Sequence, residues 1–194
     1  MISRIQVLSL VVLSLAVSSG VLLVRGEPVS AAWLLVIGAT SGAVFAICQV
    51  FNNTLWRFSF LQGWFVHRPH IYGEWAVEIS SLYEKDGERI PVKHATATVS
   101  QTYADIHMSL SSDESSGELL HGKILQQSNN EFRFTGVYLN TPKLERQRTG
   151  SNAHRGTFWL TVSGHPNQPN EMRGPYWTDR ETSGEMIFKR INKG

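Results

Sequence analysis

Aromatic, hydroxyl and guanidinium side chains recur near the ends of three segments in the C-terminal half of this chain. Aromatic rings can stack on planar groups, and arginine forks can bind phosphate oxygens through two parallel hydrogen bonds. This combination of side chains suits a planar ligand that carries phosphates. The candidate ligand-binding residues are Tyr138, Arg155, Thr157, Tyr176, Thr178 and Arg180.

The most basic stretch of this half of the chain lies close to those residues, at positions 141–149. Two interpretations of the group stay open. In the first, the basic stretch lies over the mouth of a cavity and contributes to phosphate binding. In the second, Tyr138 and Trp159 only fill a hydrophobic core, and the basic stretch is an ordinary solvated loop.

Sequence patterns that would support catalysis or metal binding are missing. The sequence contains no nucleophile elbow, phosphate-binding loop, zinc-ligand spacing or dinucleotide fingerprint, and its seven histidines are scattered. No pair of acidic residues stands out either. We therefore expect a binding protein that is not an enzyme and that uses neither a metal ion nor a cofactor.

From Ile71 onward, short segments alternate apolar and polar residues and are separated by turn residues. This period of two is typical of half-buried β-strands. No connection is long enough for a crossover helix, so the sheet should be antiparallel throughout. The predicted strands are residues 71–80, 92–101, 103–111, 118–128, 131–140, 154–163, 171–179 and 183–191.

Eight sequential antiparallel strands close most economically into an up-and-down barrel, because closure leaves no unpaired edges. A two-sheet sandwich is the alternative. Gly73 and Trp75 open the first strand, while Met186, Phe188 and Arg190 share one face of the last strand. These residues resemble the lipocalin-like (calycin) signature, which implies that Arg190 stacks on Trp75 and closes the barrel.

Two long uncharged runs occupy the N-terminal part of the chain, at Ile5–Val24 and Ala31–Phe51. At about 1.5 Å per residue, a helix of this length spans roughly 30 Å, the thickness of a bilayer's hydrocarbon core. Residues 25–30 between the runs allow only a tight turn. We expect residues 1–51 to form a two-helix transmembrane hairpin, and a cleaved signal peptide is the alternative for the first run.

Charged residues at the ends of these runs predict their orientation. Arg4, Arg57 and Arg68 lie on the terminal sides, whereas Arg25 in the connecting turn is offset by Glu27. The positive-inside rule then places both termini and the barrel in the cytoplasm. The rest of the chain is nearly balanced in charge, which argues against binding of a nucleic acid polymer.

Small residues recur at four-residue spacing in the second apolar run, at Gly38, Gly42 and Ala46. Such spacing lets two helix backbones approach closely in lipid. Packing against the first helix and packing between protomers are equally open. The next residues, 52–70, are rich in aromatic side chains, which favour the headgroup region, so we expect a linker at the membrane interface.

The direction of the strands predicts which connections meet at one end of the barrel. If the first strand starts at the membrane end, odd strands run away from the bilayer and even strands return. The candidate ligand-binding residues lie at strand ends beside the far mouth, and an eight-stranded barrel has room for about one small ligand. The connections at that mouth are those near 81–91, 111–117, 141–153 and 179–183.

Two apolar helices, an aromatic linker, a barrel domain at 71–194 and the segment 174–185 together resemble a known family. The chain is similar to the two-transmembrane β-barrel effectors of bacterial cyclic-oligonucleotide anti-phage signalling, known as CBASS. The resemblance implies a receptor for a cyclic dinucleotide that a partner nucleotidyltransferase makes during infection. It also implies that ligand binding drives homo-oligomerisation in the bacterial inner membrane, whose disruption kills the infected cell.

Two other classes of function stay open on the residues alone. One is a calycin-like protein that binds a lipid or a hydrophobic metabolite, which a wholly apolar barrel interior would favour. The other is a structural membrane scaffold, which a filled barrel without a cavity would support. Arg155 or Arg180 pointing into the barrel would instead favour the nucleotide.

Overall fold

The residues that can be described in the computed structural model form two compact units. The helical unit contains the described residues up to Phe58 together with Thr102–Ala104. The barrel unit contains the described residues of Ser59–Gln101 and those from Asp105 onward. The described ranges are 4–26, 31–85, 87–148 and 150–191.

The chain begins with helices and continues as strands. The helical elements are α1 (Arg4–Arg25), α2 (Ala31–Asn53), α3 (Leu144–Arg148) and two 3-10 turns, Leu55–Arg57 and Ser59–Leu61. The strands are β1 (Gly73–Ser81), β2 (Glu84–Lys85), β3 (Glu88–Arg89), β4 (Lys93–Gln101), β5 (Ile106–Ser112), β6 (Ser115–Gln126), β7 (Phe132–Pro142), β8 (His154–His165), β9 (Gln168–Thr178) and β10 (Ser183–Arg190).

The helical unit contains one candidate membrane span among the described residues. Trp33–Asn53 is long and apolar enough to cross a bilayer, with a mean hydropathy of 2.0. In α1, which runs from Arg4 to Arg25, the apolar segment among the fully described residues is Val12–Leu22. The structure therefore supports the second helix of the predicted hairpin as a span, while residues 27–30 of the predicted turn lie outside the described residues.

Two serine side chains form a polar contact between α1 and α2. Ser14 Oγ and Ser41 Oγ are 2.7 Å apart. Gly38, Gly42 and Ala46 are exposed, and a Cβ atom at either glycine would meet no atom within 4 Å. The described part of α1 therefore does not cover this small-residue face, and its packing between protomers stays a prediction.

The barrel unit is an antiparallel sheet closed on itself, in the order β1-β10-β9-β8-β7-β6-β5-β4. Strand β4 pairs again with β1, which completes the closure. The predicted eight-stranded up-and-down barrel is confirmed, and the two-sheet sandwich is excluded. The sequence did not predict the small β2–β3 hairpin, which lies in the connection between the first two barrel strands.

Alternating burial along the strands explains why the sheet closes around an apolar core. In β4, Ala97 and Val99 are buried, while Thr96 before them and Thr98 between them are exposed. Each fully buried large apolar side chain contributes roughly 1.5–3 kcal/mol to folding. The largest of these in the barrel are Trp75, Phe134, Phe158, Phe188, Ile71 and Leu160.

One end of the barrel is sealed by buried hydrogen bonds. Ile71 N donates to Gln101 Oε1 over 2.8 Å, and Gln101 Nε2 donates to the Pro69 carbonyl over 3.0 Å. Trp75 Nε1 donates to the Ile71 carbonyl over 3.0 Å, and Arg190 lies over the Trp75 ring. Because these buried polar groups are satisfied within the protein, this end can pack tightly.

Candidate ligand-binding site

A cavity of about 380 Å³ opens at the barrel end opposite Trp75. Small-molecule sites typically measure roughly 300–1,000 Å³, so this one has room for one small ligand. Part of its wall is apolar and consists of Met108, Leu110, Leu119, Phe158, Met186 and Phe188. Polar and charged side chains include Lys93, Glu114, Asn140, His154, Thr178 and Arg180.

The connections around this cavity agree largely with the predicted mouth. Residues from 81–91, 111–117 and 179–183 line it directly. The segment 141–153 does not line it, although Asn140 and His154, the residues on either side of that segment, do. Part of the basic stretch 141–149 forms the short helix α3.

Tyr138 on β7 and Tyr176 on β9 both line the cavity and are 9% and 6% exposed. The Tyr138 ring lies against Gly156, where a Cβ atom would come within 2.4 Å of the ring, so only glycine fits. Burial raises the pKa of both tyrosine hydroxyls, and a hydrogen bond with the Ser81 side chain offsets part of this effect at Tyr176. Both phenols are therefore neutral at neutral pH and can donate hydrogen bonds.

The β9–β10 turn brings Thr178 and Arg180 to the cavity. Thr178 Oγ1 and Thr182 Oγ1 are 2.6 Å apart, and Arg180 N donates to Thr178 Oγ1 over 3.2 Å. The Arg180 guanidinium donates to the Asn152 carbonyl and approaches Ser151 Oγ at 3.5 Å. These partners are neutral, so the positive charge of Arg180 is oriented by the loop before β8 but not compensated by it.

Arg155 and Thr157 do not line the cavity, because they lie on the exposed outer wall of β8. Gly156 and Phe158 alternate with them and are buried. The sequence-based placement had the correct end of this strand but the wrong face. A buried Phe158 sets the parity of β8, and the same parity turns His154 toward the cavity.

His154 begins β8 and was not identified from the sequence. Burial and then the positive charge of Arg180 lower the pKa of its imidazole, and Lys93 contributes less. The Asn152 backbone and the charge of Asp179 act in the opposite direction without cancelling this effect. His154 is therefore neutral at neutral pH in the ligand-free protein.

The contact between two charged residues at the mouth, Lys93 and Glu114, was also not predicted from the sequence. Lys93 at the start of β4 donates to Glu114 in the β5–β6 turn, with 2.6 Å between Nζ and Oε2. Both residues line the cavity. They lie in different elements and 21 residues apart, so only the register of the folded sheet brings them together.

The side chains around this cavity are of types that bind ligands. In the described part of the chain, no group of three His, Cys, Asp or Glu side chains is arranged to hold a metal ion. The wall offers two neutral phenols, hydroxyl groups, the positive charges of Lys93 and Arg180, and the negative charges of Glu114 and Glu118. The phenol rings match planar groups of a ligand, and the Arg180 guanidinium matches an anionic group.

Two comparisons relate this chain to known proteins. A family model described as "Cap15, cyclic dinucleotide receptor domain" matches residues 66–190, which contain the whole barrel. The chain is also 23% identical over 159 residues to "CD-NTase-associated protein 15" of Staphylococcus schleiferi, which covers 82% of this chain and 81% of the relative. The chain belongs to the Cap15 cyclic dinucleotide receptor family.

Proposed function

We propose that this protein is a membrane-anchored receptor that binds a cyclic dinucleotide in its barrel cavity and acts in a CBASS anti-phage system. The main support is that the family match coincides with a barrel that has an open cavity, whose wall contains Tyr138, Tyr176 and Arg180. The ligand would be made by a partner nucleotidyltransferase. No cofactor, metal ion or catalytic step is part of this role.

The cavity supports this role through complementary groups. The rings of Tyr138 and Tyr176 offer surfaces on which bases can stack, and their neutral hydroxyls can donate to ligand oxygens. Arg180 and Lys93 offer positive charge for the two phosphodiester groups. The Thr178 hydroxyl offers a further donor or acceptor beside Arg180.

The N-terminal part supports the effector half of the proposal. Trp33–Asn53 would anchor the protein in the bacterial inner membrane. The helix α1 would be the other membrane-spanning segment, which would leave both termini and the barrel in the cytoplasm. Residues 52–70 would lie at the membrane interface. The exposed face of Gly38, Gly42 and Ala46 would then be available for contact between protomers.

Ligand binding would act by shifting an assembly equilibrium. A ligand shifts such an equilibrium only by its different affinities for the two states. In this proposal, the ligand-bound barrel favours homo-oligomers, whose clustered helices disrupt the inner membrane and kill the infected cell. Abortive infection of this kind stops phage multiplication in the population.

The apolar part of the cavity wall favours one alternative, a calycin-like receptor for a lipid or hydrophobic metabolite. Met108, Leu110 and Met186 would contact such a ligand. The charge of Arg180, whose contacts in the loop before β8 are neutral, opposes this alternative. Covering a charge with an apolar ligand is costly unless the charge is paired. A ligand with both planar and anionic parts uses both kinds of wall.

A thermal-shift experiment on the full chain in detergent micelles tests the proposed function. The compounds are a panel of cyclic dinucleotides, the matching linear dinucleotides and a long-chain fatty acid. A ligand at about 100 times its Kd stabilises the folded state by about 2.7 kcal/mol, which raises the Tm by several degrees. A rise with the fatty acid alone would support the alternative, and no rise with any cyclic dinucleotide would contradict the proposal.

A further inference from the structure

Glu114 lies in the turn between β5 and β6, and its carboxylate contacts cations from two other elements. Lys93 Nζ donates to Oε2 over 2.6 Å, and the Arg146 guanidinium of α3 donates to Oε1. The carbonyl oxygen of Glu114 accepts a hydrogen bond from Lys143 N over 2.9 Å. This residue therefore joins the start of β4, the β5–β6 turn and the α3 segment at the mouth of the barrel.

The Glu114 carboxylate is charged and accessible at the same time. The hydrogen bond from Lys93 lowers the pKa of the carboxyl group, with help from the charges of Lys93 and Arg146 and against a smaller effect of burial. The side chains of Lys93, Glu114 and Arg146 are 54%, 37% and 55% exposed. Ion pairs between such exposed groups are weak, so another anion can replace one partner.

A carboxylate held between an ammonium and a guanidinium group resembles a phosphodiester in charge and in acceptor geometry. Both anions present two oxygens to the cations and carry about one negative charge. Lys93 and Glu114 line the cavity itself. A cyclic dinucleotide carries two phosphodiesters. In the cavity, Lys93 and Arg180 are both close enough to the His154 imidazole to act on it electrostatically.

We propose that Lys93 on the cavity wall and Arg146 just outside the wall form a phosphate subsite at the rim of the cavity, and that Glu114 occupies this subsite until a ligand phosphodiester replaces it. The inference rests on the proposed function, because it requires a ligand with phosphodiester groups. It adds two ligand contacts that the candidate set does not contain. It also makes Glu114 an internal competitor that lowers the affinity of the receptor.

This arrangement has a structural consequence at α3. When a phosphodiester takes Lys93 and Arg146, the Glu114 carboxylate leaves both cations and α3 gains a contact with the ligand. Arg146 lies within this short helix, and Leu144 at its start is 74% exposed. The occupied and empty cavities therefore differ in how α3 is held.

Glu114→Gln tests the inference because it keeps the size of the side chain and removes its charge. The matched control is Asp113→Asn in the same turn, which removes the same charge from an exposed residue that does not line the cavity. Lys93→Met removes one cation of the subsite. Each full-length variant is titrated calorimetrically, in detergent micelles, with the cyclic dinucleotide that most raises the Tm of the wild type.

The expected result is a tighter complex for Glu114→Gln, by about three- to tenfold relative to Asp113→Asn, because the competing state is lost. Lys93→Met should bind more weakly than the wild type. If the ligand-free Glu114→Gln variant does not fold, Glu114→Asp shortens the reach of the carboxylate and should also bind more tightly than the wild type.

Equal or weaker binding by Glu114→Gln, compared with Asp113→Asn, would overturn the inference and make Glu114 a positioning residue for its two cations. Unchanged binding by Lys93→Met would overturn it as well. In both cases the proposed function survives, because the wild type still binds its ligand. A wild type that binds no cyclic dinucleotide overturns the proposed function itself, and the two failures are thereby distinguished.

Discussion

The guanidinium carbon of Arg190 lies 4.4 Å from the ring centroid of Trp75, at the position where the last barrel strand pairs with the first. The same guanidinium donates hydrogen bonds to the carbonyls of Pro169, Tyr72 and His70, at 2.6, 2.7 and 2.9 Å. One side chain thus joins three segments of the chain at the sealed end. Because these contacts close the barrel at the sealed end, its closure does not depend on the other end. The ligand cavity can therefore remain open there.

Arg190→Met should destabilise the barrel, because it removes the cation over Trp75 and leaves three carbonyls without their donor. The expected loss is about 2–4 kcal/mol in the free energy of unfolding. Arg190→Lys should lose less, since it keeps the charge but not the planar fork. Chemical denaturation measures both, and a loss no larger than that of the neighbouring exposed variant Lys189→Met would contradict this role.

Arg180→Met should weaken cyclic dinucleotide binding, whereas Arg155→Met should not. Loss of a charge-assisted hydrogen bond to phosphate reduces affinity by about 10- to 100-fold. Arg155 is a matched control because it lies near the same mouth but on the outer wall. Calorimetric titration at low and high salt compares the two variants, and equal losses of affinity would argue against Arg180 as a ligand contact.

The stability of the protein should fall as the pH drops below about 6.5, in part through His154. Burial and Arg180 lower the pKa of this imidazole in the folded state, so the unfolded chain binds a proton first and is favoured as pH falls. The Glu114 and Glu185 carboxyls, whose pKa values are also lowered, lose their contribution only at more acidic pH, below their usual range.

Thermal unfolding at about pH 7.5 and about pH 5.5 measures the His154 contribution. Between these two pH values, the Tm of the wild type should fall further than the Tm of His154→Gln, because the glutamine side chain cannot take up the proton. The variant also serves as the control for the other histidines, since they are present in both proteins. An identical loss in the two proteins would show that His154 is not held in its neutral form by the fold.

Gly38→Leu combined with Gly42→Leu should abolish toxicity and leave ligand binding unchanged. A Cβ atom at either position would meet no atom of the described part of α1 within 4 Å, so we expect the packing of α1 on α2 to be kept. The added side chains would instead block close approach of helices from two protomers. Cell viability in the presence of ligand and calorimetry on the purified variant separate these effects.

Ala43→Leu provides the matched control for the helix variant. It adds the same side chain to an exposed residue next to Gly42, but about 100° around the helix from it. This variant should remain toxic. Toxicity that persists in the double glycine variant would remove the small-residue face from the account, and loss of toxicity in Ala43→Leu would show that the effect is not specific to that face.

Local patterns were sufficient to predict the barrel. The alternation in Ala97 and Val99 and the turn residues between segments indicate half-buried strands, and sequential antiparallel strands have few ways to avoid open edges. The segments that share one mouth also follow from strand direction alone. These features depend on neighbours in sequence, which a single sequence displays directly.

The composition of the cavity could be predicted only in part. Tyr138, Tyr176, Thr178 and Arg180 lie on its wall, whereas Arg155 and Thr157 occupy the opposite face because a shift of one residue reverses every side chain in a strand. The apolar Phe158, which is buried, would have indicated the correct parity for β8. The contact between Lys93 and Glu114 depends on the register between distant segments, which no local pattern displays.

Photoaffinity labelling shows directly whether a cyclic dinucleotide binds inside the barrel. The full chain in detergent micelles is irradiated with an azido-substituted cyclic dinucleotide, with and without excess unlabelled ligand, and the labelled residues are located by mass spectrometry. We expect competable labelling at the cavity wall, in peptides that contain Tyr138 or Tyr176. Labelling confined to the outer wall around Thr157 and Trp177, or labelling that excess ligand does not reduce, would contradict binding in the barrel.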